Sequence, residues 1–510
     1  MEKIDNDNNQ DYKLDYFFTE IIKDQNLKEK INIVSKKFNQ KSMNSSSSFI
    51  NDSFPRMSSV QKKKYNEYKK MEFIDNQNSI EKILKITIPE IAKDIADLEN
   101  YKQDFISKLS IVKKLNIPIF NFFSENEIYE PFLIYHIKDI KIKNFNICAI
   151  DGSFIHESFL NLDLSLFRVI GVIYLFDDVG KIQISYFPDE KGIDNYKLSK
   201  FLKNFSDEKV NTHISLERAL MEIKLANQII EESKIDLNMI ILDGSILTEP
   251  LNLIFSQDND LIEIYFQVLN EYKKLYSFCD EKQIYLVGVV KDSRSSTFRK
   301  IFTRRLPKII KLNSELNSIY SINYRTLLNY FSDIDFFNRI LDEGERSCIF
   351  SLNSVGSSWL PRQLDLLKNE LENNNLIINN FEFLCFYIKP VPYDFPLRVE
   401  FCVNNKYINN NVYLNNYIDK ISSIINNISK VAIDFSLPIP QIEAHLRCKL
   451  DNSDKRLILN ALKQKISYEL AQYLNIKINN KSIPKCDFKI DPLMIKFDML
   501  ISKRRNRFPI

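Results

Sequence analysis

Two heptapeptides decide the reading of this chain: CAIDGSF at residues 148–154 and IILDGSI at residues 240–246. Each follows a short apolar run, Ile147 to Ile150 in the first case and Met239 to Leu242 in the second, and turns polar at Asp-Gly-Ser. A carboxylate at the C-terminal end of a strand faces the crevice where open α/β sheets collect ligands, and a glycine after it permits a sharp exit of the backbone. Asp-Gly is also common in ordinary turns, so a single copy carries little. Two copies, both ending apolar strands in a chain with only eight glycines, carry more. On neighbouring strands they bring Asp151 and Asp243 together, and paired carboxylates are hard oxygen ligands suited to manganese or magnesium.

Working outward, Phe167 to Phe176 and Lys181 to Phe187 are β-rich segments separated by the turn Asp177-Asp178-Val179-Gly180. Helical periodicity follows over Ser215 to about Ser233 and again over Asp260 to about Cys279. Between and after these helices come the strands Met239 to Leu242 and Ile284 to Val290, the second ending at Lys291-Asp292-Ser293. Three strands, then helix, strand, helix, strand predicts an α/β fold with a ribonuclease-H-like mixed sheet flanked by helices; a generic α/β domain is the alternative. Further strands are expected at Phe381 to Ile388 and Leu397 to Cys402. Helices are expected at Tyr330 to Leu341, Ile418 to Ile428, Ala444 to Leu450 and Arg456 to Leu474.

The predicted organisation is a polar, mobile segment at 1–58, a helical region at 59–140, the main domain with insertions at 141–475, and an extension with the basic tail KRRNR at 476–510. In the helical region Ile80, Ile83, Leu84, Ile91, Ile95 and Leu98 recur at separations of three and four, and Pro89 interrupts them. The composition, 44% hydrophobic and 27% charged, reads as soluble and globular. The 70 basic residues nearly cancel the 67 acidic ones, so a surface for nucleic acid must be local; one basic cluster comprises Arg299, Lys300, Arg304, Arg305, Lys308 and Lys311. The seven cysteines are scattered with no C-x-x-C pair, as expected of reduced core residues in a cytosolic protein. The opening MEKIDNDNNQ lacks the basic and apolar regions of a signal peptide. Stretches such as 169–176 fall short of the roughly 20 apolar residues a membrane span needs, so no membrane partner is expected.

A third acidic ligand is expected from the helix SLERALMEIKLANQII. Leu216, Ala219, Leu220, Ile223, Ala226 and Ile230 form its apolar face at 100° per residue; Glu222 sits at the rim of that face and Glu217 outside it. A carboxylate at the rim of a buried face needs a partner, which a metal ion or an ion pair with Arg218 would supply. Glu222 is therefore the favoured ligand and Glu217 the alternative. Lys291 would bind the scissile phosphate, with Ser293, Arg294, Ser295 and Ser296 holding neighbouring phosphates; a solvated turn is the plainer reading of that stretch. Of the four histidines, His445 opens a helix after the two prolines of LPIPQIEAHLRCKL, where it could protonate a leaving group. His156 follows the first Asp-Gly-Ser closely enough to face the site, whereas His136 and His213 have no motif around them.

Together these residues resemble the NurA nuclease family. The shared elements, in order, are the first D-G-S, R-x-x-x-E at Arg218 and Glu222, the second D-G-S, V-V-K-D-S-R-S, G-E-R-S at 344–347, L-R-V-E at 397–400 and A-H at 444–445. The resemblance implies a homodimeric, manganese-dependent DNA nuclease of archaeal type, located on DNA in the cytoplasm. It implies 5'-3' exonuclease and single-strand endonuclease activity, exercised with the hexameric ATPase HerA in end resection during recombinational DNA repair. It assigns Asp151, Glu222 and Asp243 as metal ligands, Lys291 and His445 as catalytic residues, and Arg346 as a further phosphate contact. The family motif has a Tyr eight residues before the His, where this chain has Leu437. That change slightly favours the second reading, a catalytically weak DNA-binding adaptor of a HerA-type ATPase; the third reading keeps the fold and takes RNA as substrate, as other ribonuclease-H-like enzymes allow.

Overall fold

A computed structural model describes residues 83–121, 127–158, 163–188, 196–201, 206–247, 259–291, 293–352 and 380–473. The segments expected at 1–58 and 476–510, with the KRRNR tail, lie outside the described residues. The chain divides into two units, residues 1–98 and 99–510.

Of the first unit, residues 83–98 are described: one π-helical turn at Ile83–Thr87 runs into the start of helix α1 (Ile88–Leu109). Pro89 is the second residue of α1, directly after the change from π-helical to α-helical turns.

The second unit is built on one eleven-stranded sheet. Its strands are β1 (Ile134–His136), β2 (Phe145–Ser158), β3 (Asp163–Phe176), β4 (Ile182–Phe187), β5 (Tyr196–Phe201), β6 (Met239–Asp243) and β7 (Tyr285–Val290). Then come β8 (Glu345–Ser347), β9 (Phe350–Ser351), β10 (Phe381–Lys389) and β11 (Leu397–Asn404). The order is β1-β8-β10-β11-β7-β6-β2-β3-β4, with β5 paired to β3 and β9 to β10. Strands β2, β3 and β4 are consecutive antiparallel neighbours, while β6 and β7 run parallel to β2. This is the predicted ribonuclease-H-like mixed sheet, continued on the β7 side by the antiparallel strands β11, β10 and β8. Strand β1 falls inside the stretch expected to be helical; it pairs with β8 at the sheet edge.

The longer helices after α1 are α2 (Asp207–Glu232), α3 (Asn259–Glu281), α4 (Thr297–Leu312), α5 (Asp333–Ile340), α6 (Asn411–Ile428), α7 (Ile439–Cys448) and α8 (Asn452–Tyr473). Helix α2 starts eight residues before the apolar period becomes clear, because Ser206 caps it by accepting from Lys209 N and Asp207 and Glu208 occupy its positive end.

Both faces of the central strands are covered, which explains their almost unbroken apolar runs. Strand alternation sends Cys148, Ile150, Ile240 and Leu242 to the α2 and α3 side. Ile147, Ala149, Met239, Ile241, Val287 and Val289 face the opposite layer, formed by α6 and α7. Helix α6 contributes Ile418, Ile421, Ile424 and Ile425, all fully buried, each stabilising by about 1.5–3 kcal/mol. Under α4 and α5 lies an aromatic cluster in which Phe298 is 4.6 Å from Phe337 and 5.6 Å from Phe302 between ring centres. The six described cysteines are all buried and unbridged, and no helix among the described residues is long and apolar enough to cross a membrane.

Candidate active site

The register of the parallel strands sets up the site. Ile150 lies opposite Leu242, so Asp151 and Asp243 follow at the same level on adjacent strands. Strand parity puts both with Ile147, Ala149, Met239 and Ile241, on the face covered by α7. Lys291, two residues beyond Val289, belongs to the same face, and its Nζ stands 3.3 Å from Asp243 Oδ1.

The two Asp-Gly-Ser segments are alike in sequence and different in structure. The second ends β6, and Gly244 adopts φ +127°, a conformation that side chains disfavour. The first is no corner, because β2 runs straight through it to Ser158, paired throughout with β3. Gly152 is required there for space: a Cβ would lie 2.7 Å from Glu222 Oε1 and 2.9 Å from Val169 Cγ1. The missing side chain lets Glu222 reach over the sheet from α2, on the face opposite α7. Gly288 on β7 does similar work, since a Cβ there would lie 2.5 Å from the Gly244 carbonyl oxygen.

One stripe of helix α7 completes the corner. Gln441, His445 and Cys448 are spaced four and three apart, hence on one helical face. Gln441 Nε2 donates to Asp243 Oδ1. His445 Nδ1 stands 2.9 Å from Asp151 Oδ2, and the Cys448 thiol donates to that same oxygen at 3.4 Å. The other Asp151 oxygen accepts from Gly152 N at 2.7 Å.

Electrostatics show what the corner lacks. Burial, reinforced by the Asp243 charge, holds the Asp151 carboxyl above its usual range despite the opposing hydrogen bond from His445. Burial pushes Glu222 up to about 8; Arg218 opposes the shift, and Asp151 and Asp243 add to it. The Arg218 guanidinium is 3.8 Å from Glu222 Oε1, within ion-pair range, yet that buried oxygen accepts no hydrogen bond. Three carboxylates coupled through their charges, Asp151 and Asp243 on the α7 face and Glu222 approaching from the other with one oxygen buried and unsatisfied, form a hard donor set short of positive charge. A divalent cation fits that deficit, and Asp151, Glu222 and Asp243 are the residues that would hold it.

The remaining expected residues separate. Glu217 lies inside the fold, 6% exposed, and pairs with Lys197 at 3.0 Å, away from the corner. Ser293 Oγ accepts from Arg398 at 3.2 Å, and Arg294 is exposed beside it. Arg346 is corrected: it is buried, paired with both Glu130 oxygens at 2.7 and 2.8 Å, and packed over the Tyr135 ring at 4.4 Å. A guanidinium so enclosed has no face left for phosphate. His156 is 3.3 Å from Asp163 at the far end of the β2–β3 pair, His136 is exposed, and His213 packs edge-on against Phe201. Leu437 packs on the α6 side of the core.

Sequence reasoning missed Gln441 and Cys448, although helical spacing from His445 pointed to both. It also gave no role to the L-R-V-E strand. Glu400, fully buried, accepts from Ser245 Oγ at 2.6 Å and Ile246 N at 3.1 Å, pinning the backbone just after Asp243. Arg398 braces Ser293 from the same strand.

The chain matches the NurA domain over residues 145–434, more than half its length; this range includes Asp151, Glu222, Asp243 and Lys291 and stops short of α7. No curated protein matches the chain. Among solved structures, it is similar to the NurA nuclease from Sulfolobus solfataricus, with 13% identity and a TM-score of 0.44 over 77% of this chain and 98% of that one. A NurA bound to dAMP and manganese shows 14% identity and a TM-score of 0.32, covering 76% of this chain and 96% of the other. An endonuclease V from Bacillus subtilis shows 10% identity and a TM-score of 0.26, over 64% and 88%. The extent of the domain match, over a sheet of the predicted order, establishes that this chain belongs to the NurA family.

Proposed function

We propose that this chain is a metal-dependent deoxyribonuclease that hydrolyses phosphodiester bonds at the corner formed by Asp151, Glu222 and Asp243. The observation that carries the reading is the level placement of Asp151 and Asp243 on adjacent strands, with a buried Glu222 oxygen that accepts no hydrogen bond and whose carboxyl is coupled electrostatically to both. Manganese or magnesium bound there would supply an activated water and stabilise charge on the leaving oxygen.

The protein's own groups do the rest. Gln441 fixes the orientation of Asp243 by donating to it, and Glu400 holds the backbone that follows. The Lys291 ammonium brings positive charge to the scissile phosphate beside Asp243. With His445 Nδ1 engaged by Asp151, its second ring nitrogen is the one that protonates the departing oxygen. Ser293 and Arg294 hold the neighbouring phosphates. The family resemblance supports the finer reading: a homodimer in the cytoplasm, working on DNA ends with a HerA-type ATPase, by 5'-3' exonuclease and single-strand endonuclease action.

End-labelled single- and double-stranded DNA and an RNA of the same sequence, incubated with manganese, magnesium or EDTA, test the proposal. It predicts DNA degradation that requires the metal. Preferential RNA cleavage would overturn the substrate assignment. A parent protein that binds DNA, cleaves neither polymer and docks on the ATPase would instead establish the adaptor reading, which Leu437 in place of the family Tyr favours.

A further inference from the structure

The carboxylate corner has a second, softer half. Asp151, His445 and Cys448 offer an oxygen, a nitrogen and a sulfur whose ligand atoms all lie within 4.8 Å of one another. Asp151 Oδ2 is 2.9 Å from His445 Nδ1 and 3.4 Å from Cys448 Sγ. At metal bond lengths of about 2.0–2.3 Å, the donors of a tetrahedral site stand roughly 3.3–3.7 Å apart, so both Asp151 contacts are already near ligand spacing, and His445 Nδ1 and Cys448 Sγ lie within 4.8 Å of each other. Cys448 and His445 are adjacent on one face of α7, itself held against the sheet by Gln441 on Asp243 and by Ser153 Oγ on the Cys448 carbonyl. The helix face that carries both residues is therefore held against the sheet before any ion arrives.

Sulfur is the discriminating atom. A thiolate adds little to the binding of manganese or magnesium, which take oxygen ligands, but it is a strong ligand for zinc and cobalt. We propose that Asp151, His445 and Cys448 form a three-ligand site for a thiol-binding divalent cation of the zinc class, with the fourth position open to solvent or substrate. Binding replaces the Cys448 S–H bond by a metal–sulfur bond and releases the proton to solvent. Because Asp151 is shared, such an ion competes with the cation that Asp151, Glu222 and Asp243 hold. Zinc is then an inhibitor whose potency depends on Cys448, in a protein whose activity depends on a harder metal. The inference rests on reading this corner as a metal site and not on DNA being the substrate.

Cobalt titrated into the metal-free, full-length protein supplies a readout independent of activity. The parent should develop a near-ultraviolet thiolate-to-cobalt charge-transfer band with release of protons. Cys448→Ser, shown by circular dichroism to be folded, should lose that band, while Cys486→Ser keeps it. Absence of the band from the parent, or its survival in Cys448→Ser, would overturn the proposal. Should Cys448→Ser fail to fold, zinc X-ray absorption on the parent decides the matter: a sulfur scatterer beside nitrogen and oxygen supports the site, and none overturns it. Failure of the DNA assay with the optical band present would instead remove the nuclease reading and leave this site standing.

Discussion

His445 Nδ1 and Asp151 Oδ2, 294 positions apart in sequence, meet at 2.9 Å and tie helix α7 to the central strand β2. Asp151 thereby orients an imidazole whose ring is more than half exposed, with a side-chain exposure of 57%. Replacing His445 by alanine removes the proposed proton donor and leaves the three carboxylates in place. The expected result is a loss of about 10²–10⁴-fold in kcat with a smaller change in KM for DNA, read by steady-state kinetics. An equal rise in KM with kcat unchanged would assign His445 to binding.

Gly152→Ala tests the approach of Glu222 to β2. The added methyl meets Glu222 Oε1 at 2.7 Å and Val169 Cγ1 at 2.9 Å, so the glutamate must withdraw or the strand must shift. Denaturant unfolding should show a loss of about 1–3 kcal/mol, and manganese titration should show weakened binding. Unchanged manganese affinity would remove Glu222 from the ligand set.

Two arginines read alike in sequence should behave differently. Arg346→Ala strands the buried Glu130 carboxylate and should destabilise the fold by about 3–5 kcal/mol in chemical denaturation. Arg294→Ala should leave stability unchanged, weaken DNA binding, and reduce the slope of log affinity against log salt by about one.

The pH response of the metal-free protein follows from Glu222. Its carboxyl is raised from 4.5 to about 8, first by burial, so the folded state holds a proton that the unfolded chain releases. That contribution to stability is fully present below about pH 4.5 and is lost as pH rises through about 8. Thermal melts in EDTA should therefore fall across this window. Glu222→Gln should flatten the decline without abolishing it, because the Asp151 carboxyl is raised in the same direction. A parent melting temperature that stays level over this range would contradict a Glu222 carboxyl raised by burial.

How much of this was legible in the sequence depended on whether the signal was local. Apolar runs and their Asp-Gly-Ser endings located β2 and β6, and the shared position of Asp151 and Asp243 at the ends of those runs brought the two together, because an apolar run with a polar ending is a local signal. Helical spacing placed Glu222 at a rim, and spacing from His445 could have yielded Gln441 and Cys448. The continuation of β2 past Gly152 was not legible: whether a glycine turns the chain or makes room depends on Glu222, which lies seventy residues away. Arg346 failed for the same reason, since its partner Glu130 comes from a segment more than two hundred residues earlier. Glu217, assigned to the outer face by its angle, is buried because β5 brings Lys197 over that side of α2.

The most direct test of the central claim is the rate of DNA degradation in manganese by the parent beside folded Asp151→Asn and Asp243→Asn proteins. Each substitution keeps the shape of the side chain and removes one of the charges proposed to hold the cation. The account predicts metal-dependent cleavage by the parent and its loss in both variants, with melting temperatures in EDTA no lower than the parent's. Variants that degrade DNA as fast as the parent would contradict it.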